Sequence, residues 1–403
     1  MSILLRGQAI AEELIQFRRD LHRHPELSFQ ESETAAKVAE RLTRIGVPYR
    51  EGVGGHGIVA DIRGEQPGPI VALRADMDAL PIQEETELDY RSVRPGIMHA
   101  CGHDAHTSIL LGAAKLLAED RGKLHGSVRL IFQSAEEINA GAKAMIEQGV
   151  LDGVNEIYGL HNLPTLPAGM VATRHGAMMG SVDRIEITLE GKGGHGAIPD
   201  QSIDPIVCAS AIVMSLQTII SREASPFEPV VVTIGSIRSG DANNVIPQTC
   251  EMTGTVRTFD PRVQEQIPER IERIVNRIAE GYRCKVRLTY IRQVPVLVNH
   301  DAPVLHVDAV VDTVIGSDRR MTAQPTLAGE DFSVYLALVP GCFFWLGSGP
   351  ETNADRAYGL HHPKFTVNEE CIPLGSALLA EIASQRLVEL SSRSGNLDTE
   401  IRS

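Results

Sequence analysis

Ser127-Val128-Arg129-Leu130-Ile131-Phe132-Gln133-Ser134-Ala135-Glu136-Glu137 is an apolar run that stops on two adjacent carboxylates. Val128, Ile131 and Phe132 favour a strand, so Ser127–Gln133 reads as one that delivers Glu136 and Glu137 just past its end. Pro69–Ala75 repeats the arrangement and ends on Asp76-Met77-Asp78, and Glu156–Leu160 ends on His161. Gly57–Ile62 reads as a further strand, and helical stretches at Thr107–Ala118 and Gly141–Gln148 alternate with these runs. Alternation of this kind predicts an α/β fold with a mainly parallel sheet covered by helices. Ligands of such sheets bind beyond the carboxyl ends of the strands, where these polar residues fall.

Working outward, Gly7–His24 suits a helix stopped by Pro25, and Glu31–Ile45 a second one ended by Gly46. Between Ser181 and Arg292 the rhythm changes. A strand (Val182–Glu190), a helix (Asp204–Arg222), strands at Pro229–Ile237 and Cys250–Thr258, a helix (Pro261–Gly281) and a strand (Cys284–Ile291) follow in turn. That βαββαβ order is the ferredoxin-like arrangement. Beyond it come a helix from Ala302, another after Asp331, a strand at Cys342–Gly347, a helix from Leu374 and a loose polar tail from Ser391. The expected organisation is one α/β domain of residues 1–180 and 293–403 interrupted by an inserted domain, 181–292, which suits a length of 403.

The chain holds 38 Lys+Arg against 52 Asp+Glu, a net charge of −14, which argues against nucleic acid or an anionic membrane as partner. Met1–Gln16 lacks the apolar run and cleavage site of a secretory signal. No stretch reads as the roughly 20 apolar residues that span a bilayer. The six cysteines form no C-x-x-C pair and read as reduced thiols, so a cytoplasmic location is expected.

His99-Ala100-Cys101-Gly102-His103-Asp104-Ala105-His106 packs three histidines and a cysteine into eight residues, a dense supply of metal ligands. Cys101 and His103 are two apart and would leave an extended backbone on the same side. Of Glu136 and Glu137, one carboxylate can ligate a metal while the other takes a proton from water. His161 and His361 (in Gly359-Leu360-His361-His362-Pro363) add imidazoles. A lone histidine of this kind is more often structural; recurrence at equivalent places favours ligation.

The motifs H-A-C-G-H-D (99–104), R-A-D-M-D-A-L-P-I (74–82), S-A-E-E (134–137), G-L-H-N-L-P (159–164), G-E-D-F (329–332) and L-H-H-P (360–363) resemble those of the metal-dependent aminoacylase and carboxypeptidase-like amidohydrolases. The branch is that of hippurate hydrolases, N-acyl amino acid amidohydrolases and auxin-conjugate hydrolases. Arg18 to Leu27 matches too, so the resemblance covers nearly the whole chain. It implies Cys101 bridging two divalent ions as thiolate, with His103, Glu137, His161 and His361 completing the shells. It also implies Glu136 as general base and Asp78 orienting a ligand. Asp76 stands where the wider superfamily has a metal-binding His, and the leucine before His361 favours it over His362. Mn²⁺ or Zn²⁺, with Ni²⁺ or Co²⁺ as further choices, are the implied ions. In the inserted domain, His195 would stabilise the oxyanion, often across a dimer, while Asn244 and Arg257 would meet the substrate. The implied partners are a small N-acyl amino acid and a second copy bound through this lid domain. The implied reaction is hydrolysis of N-acyl or N-aroyl amino acids. A dipeptidase, carboxypeptidase or N-acetyl-diaminopimelate deacetylase with the same two-metal site is the alternative. A non-catalytic binding protein would be expected to lack Glu136.

Overall fold

Val128–Gln133 and Val71–Asp76 are buried along their whole length, which is why they read as unbroken apolar runs. In the computed structural model, which describes residues 1–400, they are adjacent parallel strands at the centre of an eight-stranded sheet. Ile70–Asp76 also pairs in parallel with Val154–Pro167, which pairs in parallel with Gly341–Gly349. Antiparallel neighbours flank this block: Gly57–Arg63 and Tyr49–Val53 on one side, Val171–Thr173 on the other, with Arg320–Thr322 at that edge. The register sets Asp76 opposite Gln133, so the acidic pairs that follow both strands leave the sheet at the same level.

Chain contacts divide the protein into two units: Met1–Gly176, Val298–Gln324 and the chain from Val334 on form one; Ala177–Leu297 with Pro325–Ser333 form the other. In the first, helix His103–Glu119 is buried along most of its length and touches helix Cys371–Glu400. The approach is close enough that a Cβ on Gly112 would lie 2.2 Å from Ser376 Oγ. Helix Ser32–Arg44 is capped from a distance, since the Glu26 carboxylate accepts the N–H groups of Glu33 (3.2 Å) and Thr34 (2.8 Å).

Several boundaries differ from the sequence reading. The opening helix is two, Ile3–Ala9 and Ala11–Arg23. The strand expected to stop at Leu160 runs on to Pro167, so His161 lies within it. The expected loose tail from Ser391 instead continues helix Cys371–Glu400, and its last three positions lie outside the described residues.

The second unit is the ferredoxin-like arrangement. Its strands run Val230–Arg238, Thr249–Thr258, Val182–Glu190, Lys285–Val294 across the sheet, each antiparallel to its neighbour. Asp204 and Asp260 cap helices Pro205–Thr218 and Pro261–Gly281, each with proline at the first turn, where its missing N–H costs nothing. Cys208, Ile212 and Leu216 of one helix and Ile267, Ile271 and Val275 of the other share a core with Ile185, Ile187 and Met252. The helical segment Pro205–Glu223 is long and apolar enough to cross a membrane by length and composition, contrary to the sequence reading, and one of its faces belongs to that core. Among the described residues none of the six cysteines is in a disulfide.

Candidate metal centre

Helix His103–Glu119 begins directly after Gly102, whose φ of +88° turns the chain sharply between Cys101 and His103. The expected extended backbone is therefore a left-handed turn. The two side chains nonetheless converge: Cys101, His103 and His161 each offer a ligand atom within 4.8 Å of the others. The trios Cys101–Glu137–His361 and His103–Glu136–Glu137 meet the same limit, so six of the expected residues form one cluster. Cys101 Sγ lies 3.3 Å from His161 Nε2, and His361 Nε2 lies 3.5 Å from Glu137 Oε2.

Local backbone explains the convergence. Ala135 (φ +55°) and His361 (φ +65°) adopt a conformation costly for residues other than glycine. The Glu31 carboxylate holds the first by accepting the Ala135 N–H (2.8 Å), and the His361 N–H donates to Ala100 O (2.8 Å) beside Cys101. His362 is drawn elsewhere: it stacks on Tyr358 with ring centres 4.4 Å apart, and its Nδ1 accepts the Lys364 N–H.

The imidazoles are aimed by their second nitrogens, the usual device for metal-binding histidines. His103 Nδ1 lies 3.2 Å from Asp78 Oδ1, and Asp78 Oδ2 accepts from Ser28 Oγ (2.7 Å) and the Glu137 N–H (3.0 Å). His161 Nδ1 faces Asn162 O at 2.8 Å. His103 Nε2 and Glu137 Oε1, buried and 3.8 Å apart, have no hydrogen-bond partner among the described residues. Orphaned buried groups of this kind are costly unless a ligand satisfies them.

The electrostatics agree. Burial works against a charged His103, yet Asp76, Asp78 and Glu137 outweigh it and hold the imidazole up to about 10. Burial pushes the Glu137 carboxyl up to about 7 although His103 pulls the other way. The cluster is thus short of positive charge. Burial, then His106, holds His161 well below the usual histidine range, in the neutral form that ligates. A cysteine sulfur, imidazoles and carboxylates brought together in this way fit divalent metal ions.

Gly102→Ala tests the turn. A Cβ there would lie 2.2 Å from Asn162 Nδ2 in a backbone conformation that alanine resists. The variant is expected to lose at least about 1–3 kcal/mol of stability and to retain less metal after dialysis, read by thermal melting and elemental analysis.

Behind the helix start lies a buried network that the sequence reading missed. Asp104 Oδ2 pairs with Arg18 Nε (2.7 Å) and His22 Nδ1 (2.8 Å), and His22 Nε2 lies 3.3 Å from Glu84 Oε1. It gives the Arg18–Leu27 segment its place. In the second unit, His195 is exposed on the short strand Gly194–His195, paired opposite Val245, and its Nδ1 accepts the Ala197 N–H (3.0 Å). The Asn244 carbonyl accepts the Gly196 N–H (2.8 Å), which holds Asn244 beside His195. Arg257 is half-buried on strand Thr249–Thr258, and burial lowers its pKa against the opposing pull of Asp183.

The profile of Peptidase family M20/M25/M40 matches residues 72–385. The chain is 43% identical over 381 residues to an N-acetylcysteine deacetylase of Bacillus subtilis (strain 168), covering 93% of this chain and 97% of that one. It is 41% identical over 383 residues to IAA-amino acid hydrolase ILR1-like 5 of Arabidopsis thaliana, covering 94% and 88%. Among solved structures, a dinuclear metal binding peptidase of family M20 from Bacillus subtilis superposes with a TM-score of 0.82 at 39% identity, covering 94% of this chain and 99% of that one.

Proposed function

This chain belongs to Peptidase family M20/M25/M40, and from that premise we propose that it hydrolyses the amide bond of N-acyl or N-aroyl amino acids, releasing a carboxylic acid and the amino acid. One observation carries the reading: a cluster of cysteine sulfur, imidazole and carboxylate groups that includes a second carboxylate, Glu136, within reach of His103 and Glu137. The names of both sequence relatives describe a conjugated amino acid, which supports the substrate class.

In this reading Cys101, His103, Glu137, His161 and His361 would hold two divalent ions, which when bound would supply Lewis acidity. Glu136 takes a proton from the attacking water and returns it to the leaving amine. Asp78 keeps His103 aimed. His195 donates to the oxyanion, and Arg257 with Asn244 engages the substrate carboxylate, for which a guanidinium is the natural bidentate partner. The same proposal includes a homodimer through the second unit, where helix Pro205–Thr218 leaves Ile206, Val207 and Met214 exposed; light scattering that finds only monomer at micromolar concentration rejects it. Six cysteines outside any disulfide suit a cytoplasmic setting.

Metal removal tests the whole. Protein stripped by a chelator is expected to lose activity and regain it with Mn²⁺, Zn²⁺, Co²⁺ or Ni²⁺ on hippurate or N-acetyl amino acids, with dipeptides poorer. Turnover by the stripped protein, or reloaded protein that cleaves only dipeptides, overturns it.

A further inference from the structure

Asp76, His103 and His106 form another trio of ligand-type atoms within 4.8 Å of one another. The reading above gives Asp76 and His106 no task, so the trio invites assignment as a separate metal site. The hydrogen bonds exclude that for His106. Its Nδ1 lies 2.7 Å from Asp76 Oδ1, and its Nε2 accepts both the Asn162 backbone N–H and Asn162 Nδ2, each at 2.9 Å. A ring nitrogen that accepts an N–H has its lone pair in use, and the other nitrogen then carries the proton given to Asp76.

The bonds continue in both directions. Arg74 donates to Asp76 Oδ2 and, through Nε, to Gln133 Oε1 (3.0 Å). On the other side, Asn162 Nδ2 donates to Cys101 O (2.6 Å), Asn162 Oδ1 accepts from Ser348 Oγ (3.0 Å), and Asn162 O faces His161 Nδ1 (2.8 Å). Asn162 therefore grips the peptide that carries Cys101 and the ring of His161 together. Asp76, His106, Asn162 and Ser348 are all fully buried, so water does not compete for these bonds.

We propose that Asp76, His106 and Asn162 are positioning residues: a chain of fixed hydrogen bonds that sets the spacing between the Cys101 sulfur and the His161 imidazole. This rests on the reading of Cys101 and His161 as metal ligands. Asp76 is the anchor of a chain of hydrogen bonds that acts through His106 and Asn162. Partners of this kind are worth about 10–100-fold in metal affinity.

The test uses the full chain loaded with Co²⁺, whose thiolate charge-transfer absorption in the near ultraviolet reports the Cys101–metal bond. His106→Asn keeps a group facing Asp76 and removes the acceptor for Asn162. It is expected to weaken Co²⁺ binding by about 10–100-fold and to shift or weaken the thiolate band. Val304→Ala, a cavity in the same core away from the chain, is expected to lower thermal stability without moving the band. A folded His106→Asn variant with the parent's band and affinity overturns the proposal. If that variant does not fold, Ser348→Ala, which frees only Asn162 Oδ1, is expected to show the same change in smaller measure, and an unmoved band overturns it equally. A parent protein with no thiolate band refutes the ligand reading itself, an outcome distinct from an unmoved one.

Discussion

Glu136→Gln is expected to lower kcat by about 10²–10⁴-fold, the usual contribution of a general base, while the protein keeps the metal content of the parent. The substitution preserves shape and removes only the ability to take a proton. Glu136 is buried, and it lies in the same trio as His103 and Glu137, where a carboxylate beside metal ligands would be placed to take a proton from water. Its backbone is fixed by the Asn139 N–H donating to Glu136 O at 2.7 Å and by the strained Ala135 before it, so the amide should occupy the carboxylate's place. In the proposed reading Glu137 is a poor substitute base, because both its oxygens lie against ligand histidines, Oε2 at 3.5 Å from His361 Nε2 and Oε1 at 3.8 Å from His103 Nε2. Glu137→Gln should instead lose metal, and that contrast separates the two carboxylates. Steady-state rates on an N-acetyl amino acid with elemental analysis of the same sample decide it. A Glu136→Gln enzyme within about threefold of the parent rate would remove Glu136 from the mechanism.

The central strands were legible because each is buried on both faces, which leaves an unbroken apolar run in the sequence, and the acids that follow mark the end of Ile70–Asp76 and of Ser127–Gln133. The ferredoxin-like unit was legible from the order of its elements. What escaped was set by contacts between distant residues. Nothing local announces that Gly102 must leave room for Asn162, or that the strand holding His161 continues to Pro167 beside Gly341–Gly349. The edge strands Val171–Thr173 and Arg320–Thr322 are too short to show a period. His106 did carry a signal, since it lies three residues after His103 and so on the same face of the helix. Its partner Asn162 lies 56 residues away, and only the fold brings the two together.

Arg386→Met is expected to destabilise the protein by about 3–5 kcal/mol, the cost of leaving one member of a buried ion pair without the other. Arg386 belongs to helix Cys371–Glu400 and Glu156 to the central strand Val154–Pro167, and both side chains are nearly inaccessible, at 3% and 8%. The pairing is bidentate, Nε to Oε2 at 2.7 Å and a terminal nitrogen to Oε1 at 2.6 Å, and the Tyr158 hydroxyl donates to Oε2 at 2.6 Å. Methionine fills much of the space of the arginine stem but leaves Glu156 with Tyr158 as its remaining donor in this set. If the lost stability is the cost of that stranded charge, Arg386→Met combined with Glu156→Gln should recover most of it, since the amide is neutral and still accepts from Tyr158. Urea denaturation of the parent, the single and the double variant reads the difference directly. A double variant as unstable as the single would mean that the loss comes from packing of the C-terminal helix rather than from the buried carboxylate.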